Sequence, residues 1–360
     1  MNASEKLLEA LLARGDALKG LADGELLNLL SILETAHEQV LGKIAATSGA
    51  WTKQWLLRIK EDIDTTYATT SAEILRTALN DLQPLAGEEV AWIADTFTRT
   101  LPGLPLNPAS TLNLWAMIEA LPASEGSTLA QLSEALGINN AAAVTREIQL
   151  SMSEGENLDQ LVRRLRGNTI SPARWMIIDG VRTYKPGQYE GGTMTTNTRE
   201  TEMFARTAVM HVGNQARETY YQANSDLIKG FMRVETLDTR TCIECGVSDG
   251  RQYSATEPRP SLPSHPSCRG LWLPILKSYR ELGVDLDELP PGTRASMDGK
   301  VPQYTTWKDM LKNASQERQE LMLGVSRSRL YREGMNVDDM VKDGKVVPLK
   351  SLGVKKEKAA

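Results

Sequence analysis

Residues 231–276 read FMRVETLDTRTCIECGVSDGRQYSATEPRPSLPSHPSCRGLWLPIL, and within them the helical spacing of apolar residues disappears. Short β-type segments at 231–236, 251–253 and 271–273 are separated by an Asp249-Gly250 turn and a proline-rich loop. All three cysteines of the chain lie in this stretch. The pattern predicts a small β-rich module, which we call the knuckle module.

Four residues of the knuckle module have the spacing of metal ligands. Cys242 and Cys245 form one pair, and His265 and Cys268 form a second pair after nineteen intervening residues. Two residues between ligands allow both side chains of a tight turn to face one centre, and two such knuckles supply the tetrahedral N/S set that zinc prefers. The sequence therefore predicts a Cys3His zinc site. The competing interpretation is three unrelated buried thiols and a surface histidine.

Such a zinc ion is predicted to be structural. Four protein ligands close the coordination shell, whereas catalytic zinc keeps one position for water. Zinc deaminases need H-x-E followed by P-C-x-x-C, but here the order is reversed and Pro266-Ser267 stand where the glutamate would be required. A module this small buries too little apolar area to fold unaided, and a metal compensates. Candidates for hydrogen bonds around the ligands are Asp238, Arg240 and Arg269.

Outside the knuckle module the chain is predicted to be helical, giving a mainly α protein with a small β-rich zinc-knuckle module. We expect a helical bundle at 1–100, a linker at 101–110, a helical region at 111–230, the knuckle module at 231–276, and a helical extension with a basic tail at 277–360. One predicted helical stripe comprises Leu26, Leu30, Leu33, His37, Val40 and Ile44.

Local signals refine the 111–230 region. A helix is expected to end at Gly137, a plausible C-cap, and the Gly- and Thr-rich segment 178–196 predicts a hairpin insertion. Asn197 and Glu200 have the spacing of a capping box that opens the next helix. His37 and His211 lie on or beside helical stripes, so we expect packed side chains rather than ligands.

Composition limits the classes of function. The net charge of −5 excludes a wholly basic nucleic-acid coat, so any DNA contact requires a local patch. No apolar run is long enough to span a bilayer, and the charged N-terminus lacks a signal-peptide core, which indicates no membrane partner and synthesis in a cytoplasm. Candidate DNA contacts in the basic tail are Lys342, Lys345, Lys350, Lys355, Lys356 and Lys358. A solvated tail is the default interpretation.

The stretch around the knuckles resembles the Mu protein F-like family of phage head-morphogenesis proteins. The similar segments are ARTAVMHVGNQARETYYQANSDLIKG (205–230), TLDTRTCIECGVSDGRQY (236–253) and PSHPSCRGLWLPIL (263–276). Two further similar segments are EGENLDQLVRRLRG (154–167) and YTTWKDMLKNASQERQELMLGVSRSRLYREG (304–334). The resemblance covers roughly 145–350, and Gly270 departs from it, because members often carry cysteine or serine there.

This resemblance implies a minor head (capsid) protein rather than an enzyme. The chain would be a late protein made in the host cytoplasm and present in few copies in the virion, at the inner head and portal vertex. Its implied partners are the phage portal protein and the coat or scaffolding protein, with genomic DNA a further candidate. Its implied roles are head morphogenesis, DNA packaging and viral genome ejection.

Two other classes remain open at this point. A head-carried nuclease of the HNH type would need more histidines near its metal, and an ADP-ribosyltransferase would use a Glu-x-Glu turn such as Glu200-Thr-Glu202 or Glu154-Gly-Glu156. A zinc DNA-binding protein would place a basic face around the knuckles. There the chain is only mildly positive, with Arg240, Arg251, Arg259 and Arg269 against Glu244, Asp249 and Glu257.

Overall fold

The computed structural model describes residues 3–47, 51–101, 103–178, 181–283 and 292–353. The fold is mainly α with small antiparallel sheets of two or three strands, as predicted. The helices are α1 (Ala3–Ala45), α2 (Lys53–Thr100), α3 (Leu114–Ala120), α4 (Leu129–Glu154), α5 (Leu158–Arg166), α6 (Thr193–Ala223), α7 (Ile243–Ser248), α8 (Trp307–Lys312), α9 (Gln316–Leu323) and α10 (Val325–Arg332).

The strands are short and pair antiparallel. They are β1 (Asn168–Ser171), β2 (Arg174–Ile178), β3 (Val181–Lys185), β4 (Gln188–Glu190), β5 (Ile228–Val234), β6 (Gln252–Ser254), β7 (Leu271–Leu276), β8 (Thr293–Ser296), β9 (Gly299–Pro302), β10 (Val341–Lys342) and β11 (Lys345–Val346). Among the described helices, none combines the length and hydropathy needed to cross a membrane.

Helices α1, α2, α4 and α6 form a bundle whose core consists mainly of leucine, isoleucine, valine and alanine, with Tyr67, Phe204 and the buried Glu89–Arg217 ion pair among them. The predicted stripe on α1 faces this core, with Leu33, His37, Val40 and Ile44 all buried. The segment 101–110 has no helix or strand among its described residues, and Leu104 and Leu106 pack on the core. The predicted linker therefore does not separate two cores, because helices from both sides of it share one.

The predicted helix end at Gly137 is wrong. Helix α4 continues to Glu154 and is capped by Gly155, whose left-handed backbone suits a glycine. Gly137 instead lies where α4 crosses α2, and a Cβ atom there would stand 2.5 Å from the Ser71 hydroxyl oxygen. This glycine is needed for the close approach of two helices, which a local pattern does not reveal.

The hairpin insertion begins earlier than the predicted 178–196. Strand β1 pairs with β4, and β2 pairs with β3, so the insertion spans 168–190. The capping box at Asn197 is also wrong, because α6 begins at Thr193 after Gly192, and Asn197 is buried inside the helix. Gly192 has a φ of +84° and passes so close to Gly167 that a Cβ atom would clash with it.

The knuckle module begins slightly earlier than predicted and occupies residues 228–276. Its sheet has the order β6-β5-β7, with Phe231 opposite Tyr253 and Met232 opposite Leu273. Helix α6 leads into this sheet, and α1 packs against β7, with Leu7, Leu8 and Leu11 in the apolar cluster that the bundle and the module share. Helices α8–α10 form a further apolar cluster with Leu237 and Ile243 of the module.

Candidate metal centre

The first knuckle is built at the start of helix α7. Cys242 is the N-cap residue of α7, and its sulfur accepts a hydrogen bond from the Cys245 backbone N–H at 3.4 Å. Cys245 lies one turn along the helix, so both sulfurs face the same side. A short helix therefore positions this pair, where the sequence had predicted only loop and strand.

The second knuckle lies in the loop before β7. The Cys268 backbone N–H donates to the His265 carbonyl at 3.1 Å, which closes a tight turn. Ser267 adopts a φ of +59° within it, and its backbone N–H donates to the Thr207 hydroxyl of α6 at 3.0 Å. The bundle helix thus holds the turn that carries two of the predicted ligands.

The structure brings the four predicted ligands together. The His265 Nε2 atom lies 3.1 Å from the Cys242 sulfur and 3.0 Å from the Cys245 sulfur. The sulfurs of Cys245 and Cys268 are 3.7 Å apart. Two thiolates bound at about 2.3 Å to a tetrahedral zinc ion would lie about 3.8 Å apart. The cluster could hold a metal ion, and its donor set is compatible with zinc.

The histidine is oriented for ligation through Nε2. Its Nδ1–H donates to the Pro266 carbonyl at 2.9 Å, which directs Nε2 at the sulfurs of Cys242 and Cys245. Metal-bound histidines usually fix their second nitrogen in this way. Hydrogen bonding to Cys242 raises the pKa of His265 to about 10, so a metal that binds here would displace a proton from the ring.

The cysteine environment favours thiolates at two positions. Hydrogen bonding from Cys245, followed by His265, lowers the pKa of Cys242 to about 4 despite partial burial. The pKa of Cys268 is also lowered well below its ordinary value, first by Cys245 and then by the charge of Arg233. Thiolate is the form that binds metals, and because hydrogen bonding to Cys242 and Cys268 raises the pKa of Cys245, a metal would have to displace the proton of that thiol.

Sequence reasoning missed a buried ion pair behind the ligands. The Arg233 guanidinium donates to the sulfurs of Cys245 and Cys268 at 3.6 Å each, and its Nε donates to Glu235 at 2.5 Å. Both side chains are almost fully buried. A zinc ion with three thiolates would carry one net negative charge, and Arg233 would reduce the repulsion between it and the Glu235 carboxylate. The available signal was Arg233 near the end of β5 and Glu235 directly after the strand, two charged residues at alternate positions beside buried apolar ones.

The residues predicted to form hydrogen bonds around the ligands, Asp238, Arg240 and Arg269, make different contacts in the structure. Arg269 makes a two-pronged ion pair with Asp238 at 2.7 and 2.8 Å, and Asp238 accepts the backbone N–H groups of Arg240 and Thr241. This pair joins the second knuckle to the turn before the first. The Arg240 side chain is exposed, and only its backbone takes part.

A second buried network attaches the module to the C-terminal extension. Asp249 accepts the backbone N–H groups of Glu235 and Trp307 at 2.8 Å each, and its carboxylate pairs with Arg294. Arg294 also donates to the Glu235 carbonyl at 2.6 Å. The Trp307 ring covers Gly246 so closely that a Cβ atom there would clash with it. The extension therefore closes over helix α7.

The other candidate residues are dispersed. Lys342, Lys345 and Lys350 are exposed on or beside β10 and β11, whereas Lys355, Lys356 and Lys358 lie outside the described residues. His37 and His211 are buried as predicted, and burial lowers the pKa of His211, whose Nε2–H donates to the Ile118 carbonyl.

Several charged residues that the alternative functions would use form ion pairs at the protein surface. Glu154 and Glu156 both pair with Arg164, and Glu202 pairs with Arg206. Around the knuckles, Arg259 stacks over Phe231 and pairs with Glu218, while Arg251 lies over Tyr253.

Comparison with known proteins adds no relative to this picture. No protein-family model, no curated protein and no solved structure matches the chain.

Proposed function

We propose that Cys242, Cys245, His265 and Cys268 bind one structural zinc ion. The observation that carries this proposal is the convergence of two knuckles on one centre, with sulfur and nitrogen atoms 3.0–3.7 Å apart. Four protein donors fill a tetrahedral shell, and Arg233 lies against the sulfurs of two of them. Such a shell leaves no position at which a metal-bound water could attack a substrate.

We further propose that the chain is a phage minor head protein of the Mu F-like class, acting in head morphogenesis with the portal and with coat or scaffolding protein. The support is the run of family-like segments through α5, α6, the knuckle module and α8–α10. The architecture is suited to assembly, because long helices offer extended surfaces while the module is held by internal ion pairs. We place the protein in the virion, at the inner head.

Metal analysis tests the zinc proposal. Purified full-length protein should contain about one zinc per chain, whereas a Cys242→Ser, Cys268→Ser double variant should contain none. Thr256→Ser changes an exposed side chain of the same module and serves as the control, which should keep its zinc. Plasma mass spectrometry gives the metal content, and zinc-free protein with normally titrating thiols would refute the zinc site.

Particle analysis tests the assembly role. Quantitative mass spectrometry of purified particles from the phage that encodes the chain should detect it in few copies per head. Deleting its gene should stop the production of infective heads, and the wild-type gene supplied in trans should restore it. Particles that lack the protein, or normal heads without its gene, would exclude a minor head protein whatever the metal content.

A further inference from the structure

A groove of about 690 Å³ runs along the outside of the bundle between α2 and α4. Its floor consists of small residues, including Ala68, Ala72 and Ala141, because Gly137 allows the two helices to approach closely. The Ser133 hydroxyl donates to the Ser71 carbonyl at 2.6 Å and fixes this crossing. At the edge of the groove Ile138 is 62% exposed, although it is a large apolar residue.

Along this groove, the exposed residues of α4 form a stripe that matches the same stripe on a second α4 running antiparallel to it. Glu134, Ile138, Ala142 and Arg146 follow one another at four-residue spacing and all line the groove. If a second α4 ran antiparallel with residue 140 at the centre, Glu134 would face Arg146. Ile138 would then face Ala142, so that a large apolar side chain packs against a small one. Because the arrangement is two-fold symmetric, each of these two pairs would occur twice.

We propose that a second copy of this chain occupies the groove, so that each α4 lies between α2 and α4 of its partner in a two-fold symmetric dimer. A two-fold interface uses the same patch on both subunits, and only a self-complementary patch can do so. The other charges that line the groove, Lys60 and Asp64, contact each other within α2, whereas the exposed Arg146 side chain approaches its chain neighbour Glu147 only at 3.7 Å. Glu134 and Arg146 are thus the pair that sets the direction of the partner helix.

Sedimentation of the purified full-length chain tests the dimer over a wide range of concentration. Wild-type protein should dimerise, and Ile138→Asp should weaken dimerisation about thirtyfold or more, because it places a charge at the centre of the interface. Leu112→Asp alters an exposed leucine outside the groove and should leave the dimer unchanged. Circular dichroism establishes that both variants remain folded.

Charge reversal gives a second test that does not depend on packing. Glu134→Arg alone and Arg146→Glu alone should each weaken the homodimer by about tenfold, since like charges then face each other. Mixing the two single variants should restore association, because every facing pair in the heterodimer is again opposite in sign. A wild-type monomer at all concentrations, a dimer indifferent to Ile138→Asp, or single variants that do not recover on mixing would each overturn the proposal. None of these outcomes depends on zinc or on the head-protein role.

Discussion

The bundle packs mainly apolar side chains along helices of up to 48 residues, with the buried Glu89–Arg217 ion pair among them, whereas the knuckle module buries Arg233, Glu235 and Asp249 in and beside a sheet of three short strands. The bundle distributes its apolar contacts over many turns, so each contact contributes a small part of the total. The module concentrates its stability in a few hydrogen bonds and ion pairs, each with several partners. The two regions should therefore respond very differently to the loss of a single interaction.

Metal removal should separate the two regions most clearly. Chelation should abolish amide protection in β5, β6 and β7 while α2 and α4 remain protected, since zinc contributes roughly 10 kcal/mol or more to comparable small modules. Hydrogen exchange followed by mass spectrometry measures both regions in one sample. The Cys242→Ser, Cys268→Ser variant is the control, because it should have no metal to lose. Equal loss of protection in bundle and module would contradict the comparison.

Asp249→Ala should have the next largest effect. It leaves the Arg294 guanidinium buried without its carboxylate and removes the acceptor of two backbone N–H groups, so we expect a loss of about 3–5 kcal/mol in the free energy of unfolding. Denaturant unfolding followed by tryptophan fluorescence measures it. Asp226→Ala, at an exposed position just before β5, should cost less than about 0.5 kcal/mol. Similar costs for the two variants would show that Asp249 does not organise the module.

The smallest effect concerns a carboxyl group inside the bundle. Burial, followed by the charge of Asp81, raises the pKa of Glu25 from about 4.5 to about 7. The folded state therefore holds this proton more tightly than the unfolded state, and stability falls as the pH rises through that interval.

Glu25→Gln should remove this penalty without changing the shape of the side chain. Because solvent screens part of the interaction, we expect the variant to be more stable than wild type by about 1–2 kcal/mol at pH 8 and equal to it near pH 4. Thermal unfolding across this pH range measures the difference, with Glu61→Gln at an exposed site as control. A constant difference between variant and wild type at every pH would contradict the assignment to Glu25.

Patterns in the sequence predicted the features that are determined by residues close to one another along the chain. Helical periodicity predicted the α fold and the buried face of α1. The two-residue spacing within each knuckle predicted which side chains would lie together. The errors at Gly137 and Asn197 have a shared cause. Each residue type suits a helix end, but its actual environment is set by contacts with other helices.

The same limit explains why Arg233 and Glu235 were missed. Charged residues in a strand normally face water, and only the folded module shows that these two are enclosed between the sulfurs and the Asp249 network. Asp238 and Arg269 were identified by their proximity in sequence to the cysteines. Their actual role, an ion pair between two turns, depends on a tertiary contact.

The apolar cluster that Leu7, Leu8 and Leu11 share with the knuckle sheet has a consequence for the time at which this part of α1 is covered during synthesis. Phe231, Leu271 and Leu273 of the same cluster leave the ribosome much later than these leucines. At roughly 5–20 residues per second the delay is of the order of tens of seconds. The surface of α1 that faces the sheet therefore stays exposed during that interval, and a chaperone that binds nascent apolar segments would meet it.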